Sequence, residues 1–477
     1  MKNIVKLLII TFLSANVVSC TEGFEDINTN PNEVSEINPS SMLNPVIYNI
    51  ASNNARKNYD ITSQLMQVHF PYPSITGDVH RYHITVGTGS SVWNAAYDAL
   101  GNVNEMLNKS FELEDENYTA INLTLRAMIV SNLTDMFGSV PFSEAFQAEQ
   151  GNFTPKFDKQ QDIYTQILND LEQANHLYNL EESLLYASDL LYQNDLVKWK
   201  KFTNSLRLRL LLRVSDRQPD AWQQIETMLH NPTVYPVFED NSDAAVLTVT
   251  GVTPNLSPWP REQDFSNART YASFFIDQLN ELEDPRLPIF ANEAKDLEGN
   301  TIGYLGIPAG FDNAGSDFPY TPSGLKQPLI IAPMPIILMS YSELQFIKAE
   351  AALKGHFNDA EGHYKEGVKS SIEFWTNQNF DETYFDNSFA AYDGSLERIM
   401  LQKYLSLFFT DYQQWSEYRR TGFPILPVTN SMENNGVMPS RMLYPDSPNI
   451  YNSENYDQAV QEMGGNTINA KVWWDVN

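Results

Sequence analysis

The residues that could do chemistry in this 477-residue chain are aromatic rings and polar edge groups set in two loop-rich stretches. The first, 68–91, holds Phe70, Tyr72, Arg81 and Tyr82 among glycine and serine; the second, 232–333, holds Asn255, Trp259, Arg269, Phe318 and Tyr320. Flat rings stack on the weakly polar C–H faces of sugars or on peptide side chains, and fixed polar groups at the edge orient the ligand. The pattern predicts binding. Trp259 is the leading ring because Pro258 and Pro260 restrict the backbone that presents it, with Arg81, Asn255 and Arg269 as edge partners. Against each ring stands the alternative that it fills the small core beneath its own loop. Trp93, Trp199, Trp375 and Trp415 fall in helical patterns and are expected in the core.

Signals for catalysis are thin. With 60 Asp and Glu residues, no spacing singles out a carboxylate pair for glycoside hydrolysis. Asp78, His80 and His83 have the composition of a metal site, but neutral loop histidines three apart are commoner than a ligand set, and no metal is expected. Asp312-Asn313-Ala314-Gly315-Ser316-Asp317 is acidic and turn-like, yet it lacks the glycine spacing and terminal glutamate of an EF-hand loop, so structural calcium has no support. A nucleophile elbow, a phosphate-binding glycine loop and a dinucleotide fingerprint are all missing. The chain reads as a binding protein without a cofactor.

The single cysteine, Cys20, follows Lys2, Lys6, an apolar run over 7–13 and the small residue Ser19. That is the layout of a secretory signal, too short to span a bilayer as a helix. Val17-Val18-Ser19-Cys20 resembles a bacterial lipobox, with Val17 in place of the usual leucine, in which cleavage leaves the cysteine as an acylated first residue. Each buried methylene of such chains contributes about 0.8 kcal/mol, so several acyl chains anchor the protein without a transmembrane segment. Residues 1–19 are then a signal peptide, 20–39 a lipidated cysteine with a polar tether, and 40–477 the folded body. With 31 Lys and Arg, the formal charge of −29 argues against nucleic acid and against an anionic membrane surface.

The elements that must position the rings are helices. Apolar residues recur at helical spacing over 93–107, 121–137, 163–178, 196–214, 338–353, 360–375 and 399–409, with a brief helical stretch over 268–282 inside the long insertion. Three pairs read as helical hairpins: 93–107 with 121–137, 163–178 with 196–214, and 341–353 with 360–375. A fourth unit starts near Leu396. Arg207, Arg209 and Arg213 flank an apolar stripe of Trp199, Phe202, Leu206 and Leu210, and are expected to pair internally with carboxylates, as are Arg419 and Arg420, and Arg126 with Asp135. Asp135-Met136-Phe137-Gly138 reads as a helix end stopped by glycine.

Leu125-Arg126 followed by Asp135-Met136-Phe137-Gly138-Ser139-Val140-Pro141-Phe142-Ser143-Glu144-Ala145 resembles the signature of the SusD/RagB outer-membrane lipoproteins of Bacteroidetes. Matches follow in order at Trp199 to Arg209, Asp284-Pro285-Arg286-Leu287, Ser340-Tyr341-Ser342-Glu343, Ala349-Glu350-Ala351-Ala352, Gln402-Lys403-Tyr404, Trp415 to Gly422 and Arg441 to Pro445. Asp26 to Asn32 and Lys471-Val472-Trp473-Trp474-Asp475 are similar to the branch called SusD-like type two. The resemblance implies a mainly α, single compact domain, a tetratricopeptide-like repeat scaffold with loop-rich insertions at 68–91 and 232–333. It also implies a lipid-anchored, surface-exposed outer-membrane protein that captures oligosaccharides, or alternatively oligopeptides, for a SusC-like TonB-dependent barrel. A surface glycoside hydrolase and a pure protein-binding scaffold are the remaining alternatives. On this reading Cys20→Ala moves the protein from the detergent phase to the aqueous phase in Triton X-114 partitioning; a variant retained in detergent would place the anchor elsewhere.

Overall fold

The amphipathic stretches fold as helices whose ends are set by local chemistry. The computed structural model describes residues 40–73, 77, 79–184, 188–311 and 318–477. Within them α1 spans Leu43–Lys57, α2 Ser90–Glu112, α3 Glu116–Phe137, α4 Gln160–Leu177, α5 Leu196–Val214, α6 Ala221–His230, α7 Ser273–Glu281, α8 Tyr341–Leu353, α9 Ala360–Thr376, α10 Leu396–Ser406 and α11 Gln413–Thr421. Asp115, Asp195 and Ser340 cap α3, α5 and α8 by accepting from the backbone N–H groups of Tyr118, Lys198 and Glu343. Gly138, at φ +81°, stops α3 where the sequence predicts it. Cys20, residues 1–39, Asp78 and the turn at 312–317 lie outside the described residues.

The helices pack in succession. α3 lies against both α2 and α4, α4 against α5, α5 against α6 and α8, and α8 against α9 and α10. This is the stacked helical-hairpin arrangement of a tetratricopeptide-like scaffold. Because α3 and α5 have neighbours on several sides, almost every face of each is buried. Their polar residues must therefore find partners inside: Thr124 meets Thr203 at 2.7 Å, and the Asn204 amide donates to Asn175 at 2.9 Å.

Short strands stitch the insertions to this frame. They are β1 His69–Pro71, β2 Val140–Pro141, β3 Phe157–Asp158, β4 Ala245–Val249, β5 Arg269–Tyr271, β6 Lys295–Asp296, β7 Tyr320–Thr321 and β8 Met334–Met339, paired antiparallel as β1–β5, β2–β3, β4–β8 and β6–β7. Two expectations change. The stretch 338–353 begins as the end of β8, since Leu338 and Met339 belong to a strand rich in β-branched and long apolar side chains, and the helix starts only after the Ser340 cap. The stretch 268–282 begins as β5, because Arg269, Thr270 and Tyr271 pair with Pro71, Phe70 and His69. The helices α1 and α6 have no counterpart in the periodicity, and α11 is anticipated only through Trp415.

A buried ionic network holds the two ends of the stack together. Glu417 of α11 accepts from Lys403 of α10 at 2.9 Å, from Arg420 at 2.7 Å and from Arg213 of α5 at 3.2 Å. Arg420 also forks onto Glu350 of α8, and Arg209 onto Glu343. The Asp135 carboxylate at the end of α3 accepts from Arg213, the Tyr164 hydroxyl and the Trp474 indole. Arg207 pairs with Glu172 and Arg126 with Asp170. The expected internal pairing of these arginines is what the structure shows, with two differences: Arg126 pairs with Asp170 and not with Asp135, which Arg213 holds, and Arg419 donates to the carbonyls of Asp135 and Ser440 and lies over the rings of Trp415 and Trp474, at 3.7 and 4.7 Å.

Burial alone would raise the Glu417 pKa, but the charges of Arg420, Lys403 and Arg213 reverse this and hold it well below the ordinary carboxylate range. A carboxylate depressed in the folded state contributes stability that is present above its unfolded value, about 4.5, and lost as pH falls toward the folded value. Glu417→Gln leaves three buried cations short of a charge, and is expected to cost about 3–5 kcal/mol at pH 7. Chemical denaturation across pH 3–7 checks this: the variant should also lose part of the acid-side slope of stability.

Candidate functional site

The two loop-rich stretches are one body. β1 and β5 join them, Tyr271 N–H donates to the Ser323 carbonyl at 2.9 Å, and Ala272 bridges Ile307. A third segment closes on them from the C-terminal part. Arg81 Nε donates to the Ser431 carbonyl at 2.9 Å, Glu433 N–H returns to the Arg81 carbonyl at 2.8 Å, and Thr429 donates to the Ala309 carbonyl at 3.1 Å.

On this junction four rings lie half-buried beside one another. Tyr72 sits 6.2 Å from both Phe311 and Phe318, Phe311 is 6.4 Å from Phe318, and Phe318 is 5.8 Å from Tyr320. Their planes are inclined by 50° to 71°, so they form a faceted surface and not a flat one. The Tyr320 hydroxyl donates to the Gly306 carbonyl at 2.9 Å. Burial and the neighbouring Asp277 push its pKa up, so it stays a neutral donor. His80, buried, meets the Phe311 carbonyl through Nε2 at 3.1 Å and holds that residue in place. His83 faces Glu433 at 2.8 Å on the exposed rim. The two histidines therefore serve different partners. Among the described residues no group of three or more His, Cys, Asp or Glu could hold a metal.

Burial corrects part of the expected site. Trp259 is 2% exposed, set edge-on against Tyr59 and Phe265, near Phe409 and beneath Arg56. Its flanking prolines constrain the chain but turn the ring inward, where a large apolar surface is removed from water. Phe70 is fully buried between His80 and Phe311, and Tyr82 is buried with its hydroxyl pushed up to about 12 by desolvation. Asn255 is buried and donates to the Thr248 carbonyl at 3.1 Å, closing the turn after β4. Arg269 lies over Tyr59 at 4.4 Å and meets Asp60 at 3.4 Å. These two polar groups brace the insertion and do not edge the ring cluster. Tyr72, Phe318 and Tyr320 come together as candidates, with Arg81 beneath the same junction. Phe311 was missed by the sequence reading, although its place directly after Gly310, which takes φ +73°, marked it as presented by a bend.

A cavity of about 740 Å³ lies elsewhere, between Glu281–Pro285 and the segment 378–389. Carboxylates crowd its rim, and its wall is a scaffold motif: Asp284 holds Arg286 and accepts from the Tyr384 hydroxyl at 2.9 Å.

Comparison with known proteins places this geometry. A family described as starch-binding and associating with the outer membrane matches residues 31–445. A chitin-binding protein of known structure is 29% identical, with a TM-score of 0.80 over 92% of this chain and all of its own. A SusD homologue from Bacteroides fragilis (23% identical, TM-score 0.75, 92% of this chain and 99% of that one) shares the fold. So does a chitin-binding SusD homologue from Flavobacterium johnsoniae (21%, 0.77, 91% and 99%). No curated protein matches the sequence. Among the described residues no helix is long and apolar enough to cross a membrane.

The different surroundings of the two rings separate their roles. Trp259→Ala empties a packed site and is expected to destabilise the fold by about 3–5 kcal/mol. Phe318→Ala removes a half-exposed ring and should cost on the order of 1 kcal/mol. Thermal melting of both variants distinguishes them, and equal losses would contradict the assignment of Phe318 to the surface.

Proposed function

The chain belongs to the SusD-like family of starch-binding, outer-membrane-associated proteins, and from that premise we propose that it is a cell-surface lipoprotein that captures oligosaccharides and passes them to a SusC-like TonB-dependent transporter. The observation that carries the reading is the faceted surface of Tyr72, Phe311, Phe318 and Tyr320 on a junction pinned by three chain segments. Rings inclined to one another suit a chain of sugar units whose faces turn from one residue to the next, and each ring contributes a stacking contact without a charge.

Binding, not turnover, is the proposed activity. Among the described residues, Asp277 neighbours Tyr320, and on the rim Glu433 is engaged with His83. Lipidation at Cys20 would tether the body at 40–477 through the polar segment 20–39, leaving these loops at the outer face. Relatives described as chitin-binding support a neutral glycan over a peptide. The net charge of −29 points the same way against strongly anionic polysaccharides, although screening confines that field to about 8–10 Å.

Calorimetry of the full-length protein in detergent tests this against maltohexaose, hexa-N-acetylchitohexaose and a mixed oligopeptide pool. One of the two glycans is expected to bind. Phe318→Ala and Tyr72→Ala should each weaken it about tenfold, equivalent to about 1.4 kcal/mol. Binding of the peptide pool alone would transfer the same surface to oligopeptides, and cleavage of either glycan would replace the binding role with an enzymatic one.

A further inference from the structure

A second cavity, of about 420 Å³, opens between α2, α3, α4 and the turn that follows β2. None of its lining residues belongs to the aromatic junction. From α2 come Asn104 and Asn108, one helical turn apart and so on one face; from the turn come Gln147 and Gln150, and from α4 comes Gln166. The side chains of Asn104, Asn108 and Gln150 hydrogen-bond to no protein atom among the described residues. Gln147 and Gln166 each donate once, to the Ser143 carbonyl and to Asp170, which leaves their amide oxygens as acceptors.

The cavity is electrically neutral. Arg126 is the one ionisable residue among those lining it, and its Nε and Nη2 both donate to Asp170, at 3.0 and 2.7 Å. Its guanidinium also lies 6.0 Å from the Phe142 ring centre. A charged ligand would meet no unpaired opposite charge here, whereas hydroxyl groups, each both donor and acceptor, match free amides.

The wall is built in advance. Asp158 accepts from the backbone N–H groups of Phe142 and Ser143 at 3.0 and 2.7 Å and from the Ser143 hydroxyl, and the Tyr97 hydroxyl donates to the Pro141 carbonyl. Phe146 holds the left-handed conformation, φ +65°, and is 42% exposed at the cavity. The ring lies against Gly101 of α2, where a Cβ would touch it at 3.4 Å, an ordinary van der Waals contact. A bulky residue in this conformation is costly, and it persists only where the surroundings over-determine it. Here the result is a ring displayed beside a cluster of unused amides.

We propose that this cavity is a second binding site for a neutral carbohydrate unit, of one or two sugar rings, separate from the aromatic junction. Its size lies within the range of small-molecule sites. The proposal rests on the glycan-binding reading above, and its test separates the two. Full-length protein in detergent is titrated with maltotriose and with tri-N-acetylchitotriose. The comparison covers the wild type, Phe318→Ala, Asn104→Ala/Asn108→Ala, Gln150→Ala, and the double asparagine change combined with Phe318→Ala. Asn108 and Gln150 are exposed, Asn104 and Phe318 are partly buried, and melting curves check folding.

The expected result is that Phe318→Ala keeps residual binding of one trisaccharide, and that adding the two asparagine changes weakens this residual binding at least tenfold, with Gln150→Ala weakening it in the same direction. Residual binding unchanged by the asparagine and glutamine variants overturns the cavity while leaving the junction intact. Loss of all binding in Phe318→Ala alone does the same. Binding lost in the asparagine variant but unaffected by Phe318→Ala supports the cavity and overturns the junction. A wild-type protein that binds neither sugar overturns both.

Discussion

The burial of ionised groups at the meeting of α3, α5, α8, α10 and α11 is the constraint on which the rest of the structure depends. Removing charges from water is expensive, and the expense is offset only when every charge meets partners in good geometry. Glu417 satisfies this through three cations on three helices, and Asp135 through a guanidinium, a phenol and an indole. The helices cannot slide against one another without orphaning a charge. Trp474, three residues from the C-terminus, is part of the same bargain, so the end of the chain registers the end of α3. Apolar packing alone would hold such a stack, but it tolerates more than one alignment.

A frame with one alignment allows loops to be precise. The ring cluster draws Tyr72 from one loop and Phe311, Phe318 and Tyr320 from another, two hundred and more positions away in sequence. Neither loop could fix these positions alone, since long loops without regular structure carry many conformations. Three registered β1–β5 pairs and the Arg81–Ser431 contact remove that freedom. The buried rings of Phe70 and His80, 6.3 and 5.1 Å from Phe311, act as the floor on which the half-buried rings stand.

Helices, caps and internally paired arginines were legible because their causes are local: a 3.6-residue period, an Asp or Ser before an apolar run, a charge on an otherwise apolar face. The site was less legible. Pro258-Trp259-Pro260 restricts the backbone, but which side of the loop faces the core depends on Tyr59, Phe265 and Phe409, and no pattern near residue 259 records the two distant ones. The same holds for Asn255 and Arg269, whose partners decide that they brace and do not bind. Phe311 carried the signal of a ring beside a glycine bend, yet only the neighbouring Tyr72 and Phe318 make it part of a surface. The strand at 269–271 and the last two residues of the strand at 334–339 read as helix for a related reason: short apolar runs are ambiguous until a partner strand claims their backbone groups.

The geometry also bears on how strongly a ligand can be held. Each aromatic contact contributes about 0.5–1.5 kcal/mol, while association costs at least about 4 kcal/mol in lost freedom before anything is gained. Four half-buried rings are therefore close to balance, and a single sugar spread over them would bind weakly. A longer glycan meets the constraint differently. Once one segment is held, a second contact anywhere within reach is intramolecular, and its effective concentration replaces the free concentration of ligand. Binding built from several weak contacts can then be firm for a polymer and still be given up contact by contact, which is what delivery to a transporter requires. A single deep, enclosed pocket would hold its ligand as one unit and would have to release it as one.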